Sequence, residues 1–236
     1  RVDQFEEQLG NKTLTHPPSE ENTSSPSQQQ IDDLVALYSA SNFKEALSQG
    51  NMLAKRFPTN HIIPNILGAI YAGLSQYEKA IMSFNKVIEL KPNFAGAYSN
   101  IGVALLELGK HREAITHYNK AIELKPDYAE VYYNLAVAFN DLGQHEEAIT
   151  SCSKAIELKP DYAEAYYNFG NALNGLGKYE EAITHYNKAI ELKPDYAEAH
   201  NNLGNTLGGH GKSEGAIDSY DKAIELKPDY AEAYNN

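Results

Sequence analysis

Apolar positions recur along most of this chain with a fixed spacing of 34 residues. The run AIELKPDYAE starts at Ala121, Ala155, Ala189 and Ala223, and a diverged copy, VIELKPNFAG, starts at Val87. Phe57-Pro58 carries the same proline phase one unit earlier. Within a unit, the pattern EAIxxxxKAIEL places its apolar residues at helical spacing and predicts one amphipathic helix, helix B. A second apolar position, occupied by Leu67, Ile101, Leu135, Phe169 and Leu203, marks a preceding helix A, and the Ile and Leu of each AIEL complete the core. A fixed period of about 20 to 50 residues means that like units stack and bury a continuous core between neighbours. The chain is therefore expected to be an all-α solenoid of antiparallel helix pairs. Its repeats run 27–60 (atypical), 61–94, 95–128, 129–162, 163–196 and 197–230, with the start of a further one at 231–236.

Each predicted helix end has a local cause. Helix A closes near Gly109, Gly143, Gly177 and Gly211, the residue type best suited to a left-handed cap. Helix B stops at each Lys-Pro, because proline cannot continue a helix and biases the preceding residue away from helical geometry. Asp127, Asp161, Asp195 and Asp229 each stand three residues before a glutamate (Glu130, Glu164, Glu198, Glu232), the spacing of a capping box that would open the next helix A. Gly68, Gly102, Ala136, Gly170 and Gly204 on helix A are expected to face Ala80, Ala114, Ala148, Ala182 and Ala216 on helix B. Small side chains there let the two helices approach to the short end of the usual separation of about 8–10 Å. Residues 1–30 break the pattern. Val2, Phe5 and Leu9 predict a short amphipathic helix, followed by a Pro-, Ser- and Gln-rich linker with two sequons at Asn11 and Asn22 that occur at a frequency near chance. The 34-residue frame takes over from Ile31.

On these residues the chain resembles the tetratricopeptide repeat proteins, whose period is 34. The motifs match over 61–230 and more loosely over 31–60. Within that superfamily the units resemble the superhelical arrays of O-linked N-acetylglucosamine transferases and of bacterial sulfotransferase-fused proteins. The tryptophan seen in many members is replaced by Tyr98, Tyr132, Tyr166 and Tyr234, with His200. The resemblance implies a right-handed α-α superhelix whose concave face is lined by helix A. At the positions of that face not used by the core, Asn100, Asn134, Asn168, Asn202 and Asn236 recur once per repeat, Tyr133, Tyr167 and Asn201 flank them, and Asn171, Asn174 and Asn205 lie one or two turns along. A carboxamide both donates and accepts, so a regular row of them matches the alternating N–H and C=O groups of an extended peptide. The transferase arrays imply such a row, and Asn100, Asn134, Asn168, Asn202, Tyr133, Tyr167, Asn171 and Asn205 are the peptide-binding candidates. Equally open is a row that pairs with neighbouring helices and holds repeats in register.

The remaining chemistry narrows the function. The carboxylate clamp that some relatives use for chaperone C-termini needs Lys and Arg on helix A, where this chain has Glu107, Asp141, Gly175 and Gly209. His117 and His185 sit two repeats apart, too far to share a metal, and are expected to be solvated or groove-edge residues. Cys152 replaces an aromatic residue and is expected to be a buried small hydrophobe. Gly211-Lys212-Ser213 joins two helices and is a turn, not a phosphate loop. The Lys and Glu of each KAIE are expected to form exposed pairs. No catalytic set, metal cluster or cofactor motif emerges. A formal charge of −12 without a basic stripe argues against nucleic acid, and no apolar run has the length of a membrane span. One cysteine rules out an internal disulfide and mildly favours a reducing compartment. The chain opens at Arg1 and stops six residues into a repeat, as a fragment or processed product would, with no signal peptide in what remains. The expected function is a non-catalytic scaffold for a protein or peptide partner. Two alternatives stay open: a targeting module of a larger glycosyl- or sulfo-transferase continuing beyond Asn236, and self-association through the uncapped end AEAYNN and the N-terminal arm.

Overall fold

The computed structural model describes residues 25–230 and Ala233. The expected helix around Val2, Phe5 and Leu9, both sequons, Asn236 and, Ala233 apart, the rest of the incomplete final repeat lie outside the described residues. All regular structure among the described residues is α-helical, in two units. Unit 1 (Arg1–Leu124) contains α1 Gln28–Ser39, α2 Phe43–Arg56, α3 Ile62–Gly73, α4 Tyr77–Leu90, α5 Ala95–Glu107 and α6 His111–Leu124. Unit 2 (Lys125–Asn236) contains α7 Ala129–Asp141, α8 His145–Leu158, α9 Ala163–Gly175, α10 Tyr179–Leu192, α11 Ala197–Gly209 and α12 Ser213–Leu226. Odd-numbered helices are helix A, even-numbered ones helix B. Helix B starts at residues 43, 77, 111, 145, 179 and 213, a constant step of 34. The chain is an all-α tetratricopeptide-type solenoid.

The A-to-B turn is built by a left-handed residue. Gly109, Gly143, Gly177 and Gly211 have φ of +70° to +76°, and Ser41 and Ser75 hold the same place at φ 56°. At Gly109 the amide donates to Leu106 O (2.8 Å) and the Lys110 amide to Leu105 O (2.8 Å), the paired bonds of a Schellman cap. The same two bonds close α7, α9 and α11. From α4 on, helix B ends at the residue before Lys, and that lysine is extended, as at Lys159 (φ −138°, ψ 88°), because proline follows; in α2 Phe57 holds this place before Pro58.

Two expectations about helix starts are corrected. The capping residue of α7, α9 and α11 is Tyr128, Tyr162 or Tyr196, without a side-chain cap bond, so Asp127, Asp161 and Asp195 open no capping box. Pro and Asp are used up by the turn, which closes with Tyr162 N donating to Lys159 O (3.2 Å), and this leaves the aspartate one residue short of the cap. The tyrosine fits there because its ring is packed and the turn's lysine lies over it, with Lys159 Nζ 4.7 Å from the Tyr162 centroid. A capping box does occur at α1, where Ser27 Oγ accepts from Gln30 N (3.2 Å) and Gln30 Oε1 accepts from Ser27 N (3.0 Å). It starts the helix at Gln28, inside the stretch expected to be linker.

The helix crossing also differs in detail. A Cβ added at Gly68, Gly102, Gly170 or Gly204 would meet not an alanine but a ring of helix B, that of Phe84, Tyr118, Tyr186 or Tyr220, at 2.4–2.6 Å. The glycine is the socket for the ring. Tyr118 and Tyr186 are fully buried by it, and burying a side chain of that size contributes about 2–3 kcal/mol. The one repeat with Ala136 at the socket has Cys152 in place of the ring, so one methyl gained on helix A is matched by a smaller side chain on helix B. Both are completely buried, and burial pushes the Cys152 thiol up to about 12.

Candidate functional site

In unit 2 the candidate residues lie on the A helices: Tyr133 and Asn134 on α7, Tyr167, Asn168 and Asn171 on α9, Asn202 and Asn205 on α11. Asn100 lies on α5 of unit 1. The Asn and its flanking residue belong to one pairing system with an offset of 35 residues. Asn202 Nδ2 donates to Tyr167 OH (2.9 Å) and to Asn171 Oδ1 (3.0 Å). Asn168 donates from Nδ2 to Glu164 O (3.1 Å) of its own helix. Within unit 1, Asn100 Nδ2 donates to the buried Asn65 (3.4 Å). The bonds of Asn202 and Asn100 link the A helices of consecutive repeats, so part of the capacity of these two carboxamides is spent on register.

Asn171 and Asn205 have a role that sequence reasoning missed. Each accepts the hydroxyl of a core tyrosine fifteen residues on: Tyr186 OH to Asn171 Oδ1 at 2.9 Å, Tyr220 OH to Asn205 Oδ1 at 2.8 Å. The sequence signal was partial: the repeats with Phe84 and Cys152 carry Ala69 and Val137 at that position, but Tyr118 stands with Val103. Asn174 accepts from Thr206 Oγ1 (3.2 Å), and Asn201 is buried. What remains for a ligand in unit 2 is specific. Among the described residues Asn134 makes no side-chain hydrogen bond, and Asn171 and Asn205 use only their Oδ1, leaving both NH₂ groups.

Tyrosines form the walls. Tyr133 stacks on Tyr162 (centroids 5.1 Å) and Tyr167 on Tyr196 (4.9 Å). Burial, with Glu164 adding to it, raises the Tyr133 phenol, and burial with neighbouring phenols raises Tyr162 and Tyr196. All three therefore stay neutral at physiological pH. Lys193 and Lys227 pair with Glu164 (3.2 Å) and Glu198 (3.5 Å).

Other sequence candidates fall elsewhere. His117 and His185 are partly exposed. They are half-buried against rings, His185 at 4.1 Å from Phe169 and His117 at 6.2 Å from Tyr98. Burial lowers the His117 pKa, with Glu113 opposing. The KAIE pairs are exposed, as at Lys154–Glu157 (2.7 Å), and Gly211-Lys212-Ser213 is the turn into α12. No helix among the described residues is long and apolar enough to cross a membrane.

With this geometry in view, comparison with known proteins is decisive for the family. Matches to the TPR repeat cover residues 68–109, 104–140, 138–177 and 170–211, and a match to the tetratricopeptide repeat covers 197–230. The chain belongs to the tetratricopeptide repeat family. Curated relatives include the Hsp70-Hsp90 organizing protein of Triticum aestivum, 34% identical over 71 residues, and a probable UDP-N-acetylglucosamine–peptide N-acetylglucosaminyltransferase, SEC, of Arabidopsis thaliana, 35% identical over 73. Each alignment covers 30% of this chain but only 12% and 7% of those proteins, so the chain spans a small part of their length. Among solved structures, MamA superposes with a TM-score of 0.63 at 28% identity, over 70% of this chain and 96% of that one. YrrB, described as a TPR protein with an unusual peptide-binding site, gives 0.63 at 25%, over 79% and 96%. PilW, a type IV pilus biogenesis factor, shares the fold, with a TM-score of 0.80 at 17% identity over 89% and 99%. As a tetratricopeptide repeat protein, the chain is a protein–protein interaction scaffold.

Proposed function

We propose that the helix A face holds an extended peptide segment, with carboxamides on its backbone and tyrosines against its side chains. The supporting observation is the unspent hydrogen-bonding capacity of unit 2: Asn134 without an internal partner, and the free NH₂ groups of Asn171 and Asn205 on successive A helices. Donors presented once per repeat suit main-chain carbonyls, and neutral, half-buried tyrosine rings suit the side chains between them. YrrB, similar in fold, is described by its peptide-binding site.

The test separates binding from register. Asn134→Ala is expected to leave thermal stability unchanged and to weaken peptide binding by about 0.5–1.5 kcal/mol, the worth of one hydrogen bond. Asn202→Ala is expected to lower stability as well, since it cuts the link to Tyr167 and Asn171. The triple change Asn134→Ala, Asn168→Ala, Asn202→Ala should lose affinity at least several-fold with little change in sequence preference, whereas Tyr133→Ala and Tyr167→Ala should shift that preference. A triple variant that melts lower yet binds a peptide library as before would assign the row to register alone.

A second reading, a targeting module of a larger glycosyltransferase, is favoured by the match to the Arabidopsis protein. Its test is the full reading frame, where a catalytic domain in the same polypeptide is expected.

A further inference from the structure

Unit 1 contains a cavity of about 340 Å³ among α1, α3, α4 and α5. Three aromatic side chains line it, Tyr38, Tyr77 and Phe84, together with Ala72, Val103 and Asn100 of the helix A face. None of its lining residues is basic. Tyr77 donates its hydroxyl to Glu107 Oε2 at 3.1 Å, which places a carboxylate one hydrogen bond from the wall. Lys79, on the first turn of α4, is engaged with Gln76 Oε1 (2.8 Å) and lies over the Tyr71 ring (5.7 Å), and neither of these lines the cavity.

We propose that this cavity receives an arginine side chain of a bound extended segment, with the guanidinium against the tyrosine rings and beside Glu107. Three features converge on this occupant. Ala72 and Val103 offer apolar surface to the methylene stem of a long cationic side chain. Ring faces attract a guanidinium, which stacks on them as a flat group. Glu107 supplies the counter-charge and can accept from it. Asn100, at the same cavity, is placed to meet the main chain next to the inserted side chain. The proposal rests on the helix A face being the binding face, but on unit 1 only.

The experiment titrates the isotopically labelled full chain with N-acetyl-arginine amide, its neutral isostere N-acetyl-citrulline amide, and N-acetyl-leucine amide, following backbone amide shifts. Arginine amide is expected to move the resonances around Tyr38, Ala72, Tyr77 and Asn100. Citrulline amide should bind at least about fivefold more weakly, because it lacks the charge the rings and carboxylate recognise. Ala72→Leu fills the cavity and should abolish the shifts; leucine is compatible with this helix position, since Leu106 occupies it one repeat later. Glu107→Gln, at the surface, should cut arginine affinity several-fold and gives the same reading should Ala72→Leu not fold. Leucine amide binding as tightly as arginine amide, or shifts that survive folded Ala72→Leu, would overturn the proposal. The triple asparagine variant of unit 2 keeps the two readings apart. If it leaves peptide affinity unchanged while arginine amide still binds unit 1, only the backbone-binding row fails; the converse removes only the arginine cavity.

Discussion

Gly204 and Gly209 stand on one helix, α11, and differ only in what lies beside them. A Cβ at Gly204 would sit 2.6 Å from Tyr220 Cε1, whereas nothing lies within 4 Å of one at Gly209, which has no positive φ. Gly204→Ala should therefore destabilise by about 1–3 kcal/mol through overpacking. Gly209→Ala should stabilise by about 0.5–1 kcal/mol by removing backbone freedom from the unfolded chain. Denaturant midpoints of the two variants check the pair, and equal midpoints would refute the socket. That a small residue is needed at 204 was legible in the sequence. That its partner is a ring four residues past the expected alanine was not, because ring direction depends on rotamer and helix rotation rather than on spacing. The same holds at the candidate site. The asparagine row shows in the period, but its 35-residue pairing with the tyrosine row depends on how successive A helices meet.

At the level of the helix, ends governed by backbone restriction were legible and starts governed by side chains were not. Glycine reaches the left-handed cap without strain and Lys-Pro cannot continue a helix, so the ends of α5, α7, α9 and α11 and the stops of the B helices followed from residue type alone. Aspartate can serve a turn as well as a cap, and the tight Lys-Pro-Asp turn claims it. The last helix pair is the weakest by composition. α11 carries Gly204, Gly208 and Gly209, α12 carries Gly215, and exposed His210 bonded to Glu180 (2.9 Å) replaces the half-buried Leu108, Leu142 and Leu176 of earlier repeats. Glycine inside a helix costs about 1 kcal/mol relative to alanine. Amides of α11 and α12 should exchange faster than those of α9 and α10 in native-state hydrogen exchange; equal protection would mean that another surface covers them. In α8, Ala148 is completely buried. Ala148→Leu should cost about 1–3 kcal/mol, felt first in the helices packed on α8, and an unchanged melt would contradict the packing.

Across the whole molecule, charge is unevenly shared. Residues 125–236 hold 9 of the 20 basic and 19 of the 32 acidic residues, a formal −10 of the total −12. At neutral pH this keeps copies apart and draws cations toward unit 2, an effect that salt screens within a Debye length of about 8–10 Å. The sequence pI is about 5.1, so self-association should be greatest near that pH and suppressed at pH 8 in low salt. Light scattering across the range measures it. Scattering that is highest at pH 8 would instead point to a specific contact able to overcome the repulsion.

The glycine sockets also govern how such a chain can change its length. Near-identical repeats invite unequal recombination between their coding segments, and the protein constrains where a crossover can fall. An exchange in the Schellman turn that joins α7 to the helix B of the next repeat would set the Ala136 methyl against the ring of Tyr186. An exchange in the Lys-Pro turn keeps Ala136 with Cys152 and every glycine with its ring. The repeat with Ala136 and Cys152 therefore passes intact only in a unit that begins at the proline turn, and its heritable module is the A–B pair rather than the single helix.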